Sequence, residues 1–180
     1  MKIKSLAVFC GSKPGNNPIY LKHAEQTGLL LAQKNIRLIY GGGSVGIMGA
    51  IAGSVMNNGG EVRGVIPKML VDREHQLDNI TELTVVDDMH MRKRRLYDLC
   101  DAALILPGGF GTMDELFEIL TWNQLFIHNK PIFLLNSAGF YDHLIMHIQH
   151  LEKEKFLYEK IEESVIVIKD PAEMVAYLDQ

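Results

Sequence analysis

No apolar run in the chain approaches the roughly 20 residues that a membrane-spanning helix requires, so contact with a membrane through a spanning segment is not expected. The opening stretch, MKIKSLAVFCGS, carries two lysines but an apolar run that Gly-Ser and Lys-Pro-Gly soon break. It is too short for a signal-peptide core with a cleavage site and reads better as a first β-strand. Only two cysteines are present, Cys10 and Cys100, far apart and outside any CxxC pair. That spacing argues against a disulfide framework and a zinc site alike, and fits a reducing, cytoplasmic setting. The seven histidines form no HExxH or comparable ligand spacing, so neither a metal nor metal-assisted catalysis is expected. An excess of positive charge is missing too: the formal net charge is -4. No global field draws the protein onto nucleic acid or an anionic membrane, and any anion site must be local.

The 180 residues, 47% hydrophobic and 22% charged, have the composition of an ordinary globular protein of one domain, here expected to span 1–180. Short apolar runs alternate with amphipathic segments. The strand-like runs are Ser5–Cys10, Ile36–Tyr40, Val62–Pro67, Leu83–Val86, Ala102–Leu106, Ile132–Asn136 and Ser164–Ile168. Their near-continuous apolar character predicts strands buried on both faces. Helices are expected at about Pro18–Gln33, Gly46–Asn57, Met89–Cys100, Thr112–Phe126, Tyr141–Glu154 and Pro171–Leu178. Gly59-Gly60 marks the end of the second and Asp170-Pro171 the start of the last. Such alternation implies an α/β fold, a doubly wound parallel sheet of about seven strands flanked by helices. Neither repeats nor linkers interrupt it.

Ligands of such sheets bind at the carboxyl ends of the strands, and the sequence concentrates its glycines there. GSKPGNN follows the first strand and offers Gly11 and Ser12. GGGSVG follows the second and offers Gly42 and Gly43; PGGFGT follows the fifth. Gly41, Gly43 and Gly46 fit G-x-G-x-x-G between a strand and a helix, a setting in which backbone amides can approach a phosphate. Tight helix–sheet packing without a ligand explains the same glycines. A dinucleotide site would add an acid at the tip of the next strand, but that strand ends GVIPKML, which disfavours NAD.

The basic segment MHMRKRRLYDLC (Met89–Cys100) is sorted by helical geometry. Leu96, Leu99 and Cys100 set an apolar face; Arg92 and Lys93 extend it, and Arg94 falls opposite. Two inward cations near a helix start oppose the macrodipole and require a negative partner. An internal carboxylate and a substrate phosphate beside Glu115 both meet that need. In LPGGFGTMDEL, Gly108, Gly109 and Gly111 free the backbone and Thr112 can cap the next helix. Thr112-x-x-Glu115 fits a capping box, with Asp114 supplying first-turn negative charge. Glu115 also adjoins the inward face set by Leu116, Ile119 and Leu120, as a catalytic carboxylate would.

PGGFGTMDE matches the PGGxGTxxE signature of the LONELY GUY (LOG) family, the cytokinin riboside 5′-monophosphate phosphoribohydrolases, many once labelled putative lysine decarboxylases. VFCGS, YGGGSVGIMG, GVIPKML, DMHMRK and TWNQLFIHNKPIFLLN resemble family blocks in family order. The resemblance implies a Rossmann-like fold, a homodimer, and hydrolysis of the N-glycosidic bond of adenine-type nucleoside monophosphates without a cofactor. It puts Arg92 and Glu115 at the catalytic positions. Lys93, Gly108, Gly109, Phe110, Gly111, Thr112 and Thr121 fall at nucleotide-binding ones. Glu74, in VDREHQL, resembles the acid of the family's PREL segment, although Asp72 stands where the family has proline. A nucleotide sensor without turnover and a pyridoxal-phosphate lysine decarboxylase are the alternatives.

Overall fold

A computed structural model describes residues 2–71 and 80–178. In chain order its elements are β1 (Ser5–Phe9), α1 (Ile19–Gln33), β2 (Arg37–Tyr40), α2 (Gly46–Asn57), β3 (Val62–Pro67) and the single turn α3 (Lys68–Val71). Next come β4 (Glu82–Val86), α4 (Met89–Leu99), β5 (Ala102–Ile105), α5 (Phe110–Gln124), β6 (Ile132–Leu135) and α6 (Asp142–Lys153). The single turn α7 (Ile161–Ser164), β7 (Ile166–Ile168), a 3-10 turn (Pro171–Met174) and α8 (Val175–Leu178) complete the described chain.

All pairings in the seven-stranded sheet are parallel, in the order β4-β3-β2-β1-β5-β6-β7. Parallel strands place successive side chains on opposite faces, and both faces are covered. Leu6 and Val8 of β1 join a core with Leu31 of α1 and Ile51 and Val55 of α2. Ala7 and Phe9 join a second core with Leu96 of α4, Leu116 and Ile119 of α5 and Ile148 of α6. The doubly wound expectation therefore holds. Among the described residues no helix is long and apolar enough to cross a membrane.

The differences from the expected boundaries have local causes. The turns α3 and α7 are too short to leave a helical period in the sequence. The residues before β7 close α7 instead of extending the strand. The last helix opens as a 3-10 turn, with Asp170 Oδ1 accepting from the Ala172 amide at 2.8 Å. Helix α5 starts at Phe110 and stops at Gln124, short of Phe126, whose backbone is left-handed at φ 56°. The chain turns back from the β4 side to the β5 side at β1, so the loops after β1 and β5 diverge and leave a crevice at the switch point. One hydrogen bond, from the Gly11 amide to the Pro107 carbonyl at 3.0 Å, holds the two loops together.

Buried His23 on α1 bonds Ser137 Oγ through Nδ1 at 2.8 Å, joining that helix to the turn after β6. Burial holds its imidazole below the ordinary 6.5 and Lys22 adds to this, against a partial opposing pull from Asp170. His128 is lowered as well, by burial and then by Lys130. Below about pH 6.5 the unfolded chain thus binds protons that the folded one refuses, and stability falls with pH. We predict a lower urea midpoint at about pH 5.5 than at about pH 7.5, and a smaller drop in His23→Gln. Equal midpoints in the native protein would contradict this.

Candidate active site

At the switch point lies a cavity of about 240 Å³ lined by the end of β1, by residues of three loops and by three helices. The loop after β1 gives it Cys10, Gly11 and Ser12, and the β2 loop gives Gly41. Helix α2 contributes Met48, α4 contributes Arg92, and the start of α5 contributes Gly109, Phe110, Gly111, Thr112 and Glu115.

Arg92 is 6% exposed, the fourth residue of α4. Its guanidinium donates from Nε to the Val65 carbonyl at 3.2 Å and from Nη2 to the Gly41 carbonyl at 3.0 Å. The Gly41 carbonyl directly follows β2, and the Val65 carbonyl lies within β3, two residues before its end. A Cβ on Gly41 would lie 2.0 Å from Arg92 Nη2, so glycine at 41 is what lets the guanidinium lie against the sheet. The start of α4 is capped by Asp88, whose Oδ1 accepts from the Met91 amide at 2.8 Å. At its other end Lys130 Nζ donates to the carbonyls of Tyr97 and of Cys100, the latter at 2.6 Å. A cation there suits the macrodipole.

Glu115 stands on α5, one and a half turns from its start, and lines the same cavity as Arg92. Its carbonyl accepts from the Tyr97 hydroxyl at 3.0 Å. The expected capping box is absent: Gly109 is the N-cap without a side-chain bond, and Thr112 lies within the first turn, buried. Thr112 packs on Gly108, where a Cβ would come within 2.1 Å of Oγ1. Asp114 accordingly lies beyond the first turn, which holds no acid. Glycines 109 and 111 differ from their neighbour, because a Cβ on either would meet nothing within 4 Å. Neither has a left-handed φ; Gly111, inside the helix, costs about 1 kcal/mol relative to alanine, and Gly109 holds the N-cap, where glycine is accepted. Packing within the described protein does not call for glycine at these two places; an open cradle at the helix start does.

The second glycine loop serves packing. Two first-turn amides of α2, Ile47 and Met48, donate to the Gly11 carbonyl at 3.2 and 3.3 Å. Gly42 and Gly43, expected to face the ligand, do not line the cavity; Gly42, at φ +89°, turns toward Ile66 and Leu83. Lys93 also differs from expectation. Only 9% exposed, its ammonium lies 3.1 Å from Asp114 Oδ2 and 3.0 Å from Glu118 Oε1, and it does not line the cavity. Internal carboxylates thus compensate Lys93. Thr121 faces another groove and donates to the Phe117 carbonyl at 2.7 Å. Glu74 lies outside the described residues.

Cys10 and Met48 join the cavity although sequence reasoning assigned them no ligand role, the only hint being their place in or beside the loops after β1 and β2; Gly41, the first glycine of the G-x-G-x-x-G pattern, lines it too. Burial foremost, then the charge of Glu115, pushes the Cys10 thiol well above its usual range, so it stays protonated and is a poor nucleophile.

Gly46 joins the two loops at their tightest point. Its φ is +62°, and a Cβ would come 2.4 Å from the Ser12 carbonyl carbon. Gly46→Ala is expected to lose about 1–3 kcal/mol of unfolding free energy. Gly41→Ala would put a Cβ 2.0 Å from Arg92 Nη2 and displace a buried guanidinium from its carbonyls, so it too should lose about 1–3 kcal/mol. Chemical denaturation of both variants checks this, and a native-like midpoint in either would refute the role given to that glycine.

A family model described as "Possible lysine decarboxylase" matches residues 48–178. A cytokinin riboside 5′-monophosphate phosphoribohydrolase of Rhodococcoides fascians is 45% identical over 168 residues, 93% of this chain and 85% of that protein. One from Arabidopsis thaliana is 42% identical over 178 residues, 99% of this chain and 84% of that protein. Among solved structures, a molybdenum cofactor binding protein from Rippkaea orientalis superimposes with a TM-score of 0.73 at 22% identity, covering 99% of this chain and 97% of that one. DNA processing protein A of Helicobacter pylori does so with a TM-score of 0.63 at 15% identity, covering 97% and 79%. These two likenesses concern the fold alone. With the signature loop at the switch point and relatives this similar over nearly their whole length, the chain belongs to the LONELY GUY family of cytokinin riboside 5′-monophosphate phosphoribohydrolases.

Proposed function

We propose that the protein hydrolyses the N-glycosidic bond of adenine-type nucleoside 5′-monophosphates. Water adds across the bond from ribose C1′ to the base nitrogen: its hydroxyl goes to C1′ and its remaining proton to the base. The products are free base and ribose 5-phosphate. The observation that carries the reading is the open cradle at Gly109 and Gly111, on a helix start one turn from a carboxylate. A helix leaves its first amides without intrahelical partners, and these together with the dipole favour an anion. A 5′-phosphate held there anchors the ribose, so that binding energy far from the bond serves its cleavage. Glu115 then faces the sugar, where its carboxylate stabilises oxocarbenium character at C1′ or activates the water. Arg92 supplies a fixed cation on the other side of the cavity, to hold the phosphate or orient the acid. Gly11 and Ser12 complete the wall.

A lysine decarboxylase would need a lysine free to form a Schiff base. Lys93, the lysine of the basic helix, is instead buried between two carboxylates, and their hydrogen bonds outweigh burial to keep its ammonium charged. Against a non-catalytic sensor stands Glu115 itself, since a carboxylate beside a phosphate cradle weakens binding unless it serves the reaction.

A base-release assay across AMP, isopentenyladenosine monophosphate, other nucleoside monophosphates and adenosine tests the reaction. Release from monophosphates and little from adenosine is expected. Glu115→Gln should lower kcat by about 10²-fold or more while leaving the urea midpoint nearly unchanged. Arg92→Ala should lose turnover and phosphate affinity together. Normal AMP hydrolysis by either variant would overturn its role.

We also propose a homodimer. A second groove of about 370 Å³ between α5, α6 and α7 is lined by Phe117, Phe126, Ile148, Leu151 and Leu157, and Phe126 is 87% exposed. So large an exposed aromatic surface fits coverage by a second copy. Sedimentation should find a dimer that Phe126→Asn, tolerated at a left-handed position, weakens; a monomeric native protein would refute this. The two buried free cysteines support a reducing, cytoplasmic location.

A further inference from the structure

Lys93 is the one inward cation of α4 that the proposed reaction leaves without a task. Its ammonium bridges Asp114 and Glu118 at 3.1 and 3.0 Å, and these residues bracket Glu115 along α5, one before it and three after. One turn further along α4, the Tyr97 hydroxyl donates to the carbonyl of Glu115 itself at 3.0 Å. Helix α4 therefore grips the turn of α5 that carries Glu115 at three points, and the same helix carries Arg92 beside Lys93. The grip is electrostatic as well as steric. Among the described residues, the charged and titratable groups around Glu115 include Arg92, Lys93 and Tyr97 on α4, Asp114 and Glu118 on α5, and Cys10 beyond β1. Without Lys93, two carboxylates would flank Glu115 with no cation between them, and like charges disfavour an ionised acid.

We infer that Lys93 is a positioning residue: its bridge to Asp114 and Glu118 fixes the Glu115 turn against α4 and offsets the negative charge beside it. This rests on the reaction proposed above, and departs from the nucleotide contact that family resemblance implies for Lys93.

Lys93→Met keeps the aliphatic stem and removes the charge. Its kcat for AMP should fall about tenfold or more with KM changed less than about threefold. The acid limb of its kcat–pH profile should move up by about one pH unit. Adding Glu118→Gln removes one stranded carboxylate and should bring the limb most of the way back, and Lys93→Arg should keep it near its native place. Asp114→Asn, altered on the exposed side of the bridge, should move the limb the other way, to lower pH, and tests the idea even if Lys93→Met fails to fold. A tenfold rise in KM with an unmoved limb would make Lys93 a phosphate ligand. An activity loss with an unmoved limb and no recovery in the double variant would make it merely structural. Either result overturns the inference. Carbon-13 NMR titration of the Glu115 carboxylate in native and variant proteins reads the same shift without turnover. Absence of base release from any nucleotide would therefore defeat the reaction, while an unmoved Glu115 titration would defeat the role of Lys93.

Discussion

The site depends on a guanidinium buried against the carboxyl edge of a parallel sheet. Arg92 cannot shed its charge, and a charge withdrawn from water is tolerated only where hydrogen bonds replace hydration. The carbonyls of Gly41, just after β2, and of Val65, within β3, provide them. That arrangement sets the approach of α4 to the sheet and requires a residue without a side chain at 41. It also brings a permanent cation into the crevice that the reversal of strand order opens between β1 and β5.

The second cation of the helix is handled differently, and the contrast shows how neighbouring charges in one motif separate into distinct tasks. Arg92 meets backbone carbonyls and lines the cavity, whereas Lys93 meets Asp114 and Glu118 on α5 and does not. Both run against the macrodipole near the start of α4. Asp88 at its cap and Lys130 at its far end have the signs that the dipole favours. The aromatic cluster of Phe9, Tyr97 and Trp122 fills the space behind and places the Tyr97 hydroxyl under the Glu115 turn.

The two glycine-rich loops divide in the same way. At the β2 loop, glycine makes room for protein: for Arg92 at 41, for Ile66 and Leu83 at 42, and for the Ser12 backbone at 46. At the β5 loop, a Cβ on Gly109 or Gly111 would meet none of the described residues, and the proposed phosphate cradle lies there. The resemblance of the two stretches as strings conceals opposite uses. A glycine pattern records that the backbone must be approached closely, without saying by what.

Much of the fold was legible in the sequence because its strands are buried on both faces and its helices are long enough to show a period. β3 and α2 fall at the expected boundaries, and the last helix begins at the expected proline as a 3-10 turn. Single-turn elements such as α3 and α7 carry no period to read. The inward placement of Arg92 and Lys93 also followed from local geometry, since a helix fixes which residues share a face with Leu96. What compensates each cation did not follow, because Asp114 and Glu118 lie some twenty residues away and reach Lys93 only when α4 and α5 pack side by side. For the same reason the sequence could propose Thr112 as a cap but not that α5 begins two residues earlier, where Gly109 takes the capping position. The chain by itself determined its elements, its helix faces and its family signature, all of which are local or linear. Tertiary structure alone decided which glycines meet protein and which stay open, and which charges meet each other, because those outcomes depend on distances between residues that the sequence holds far apart.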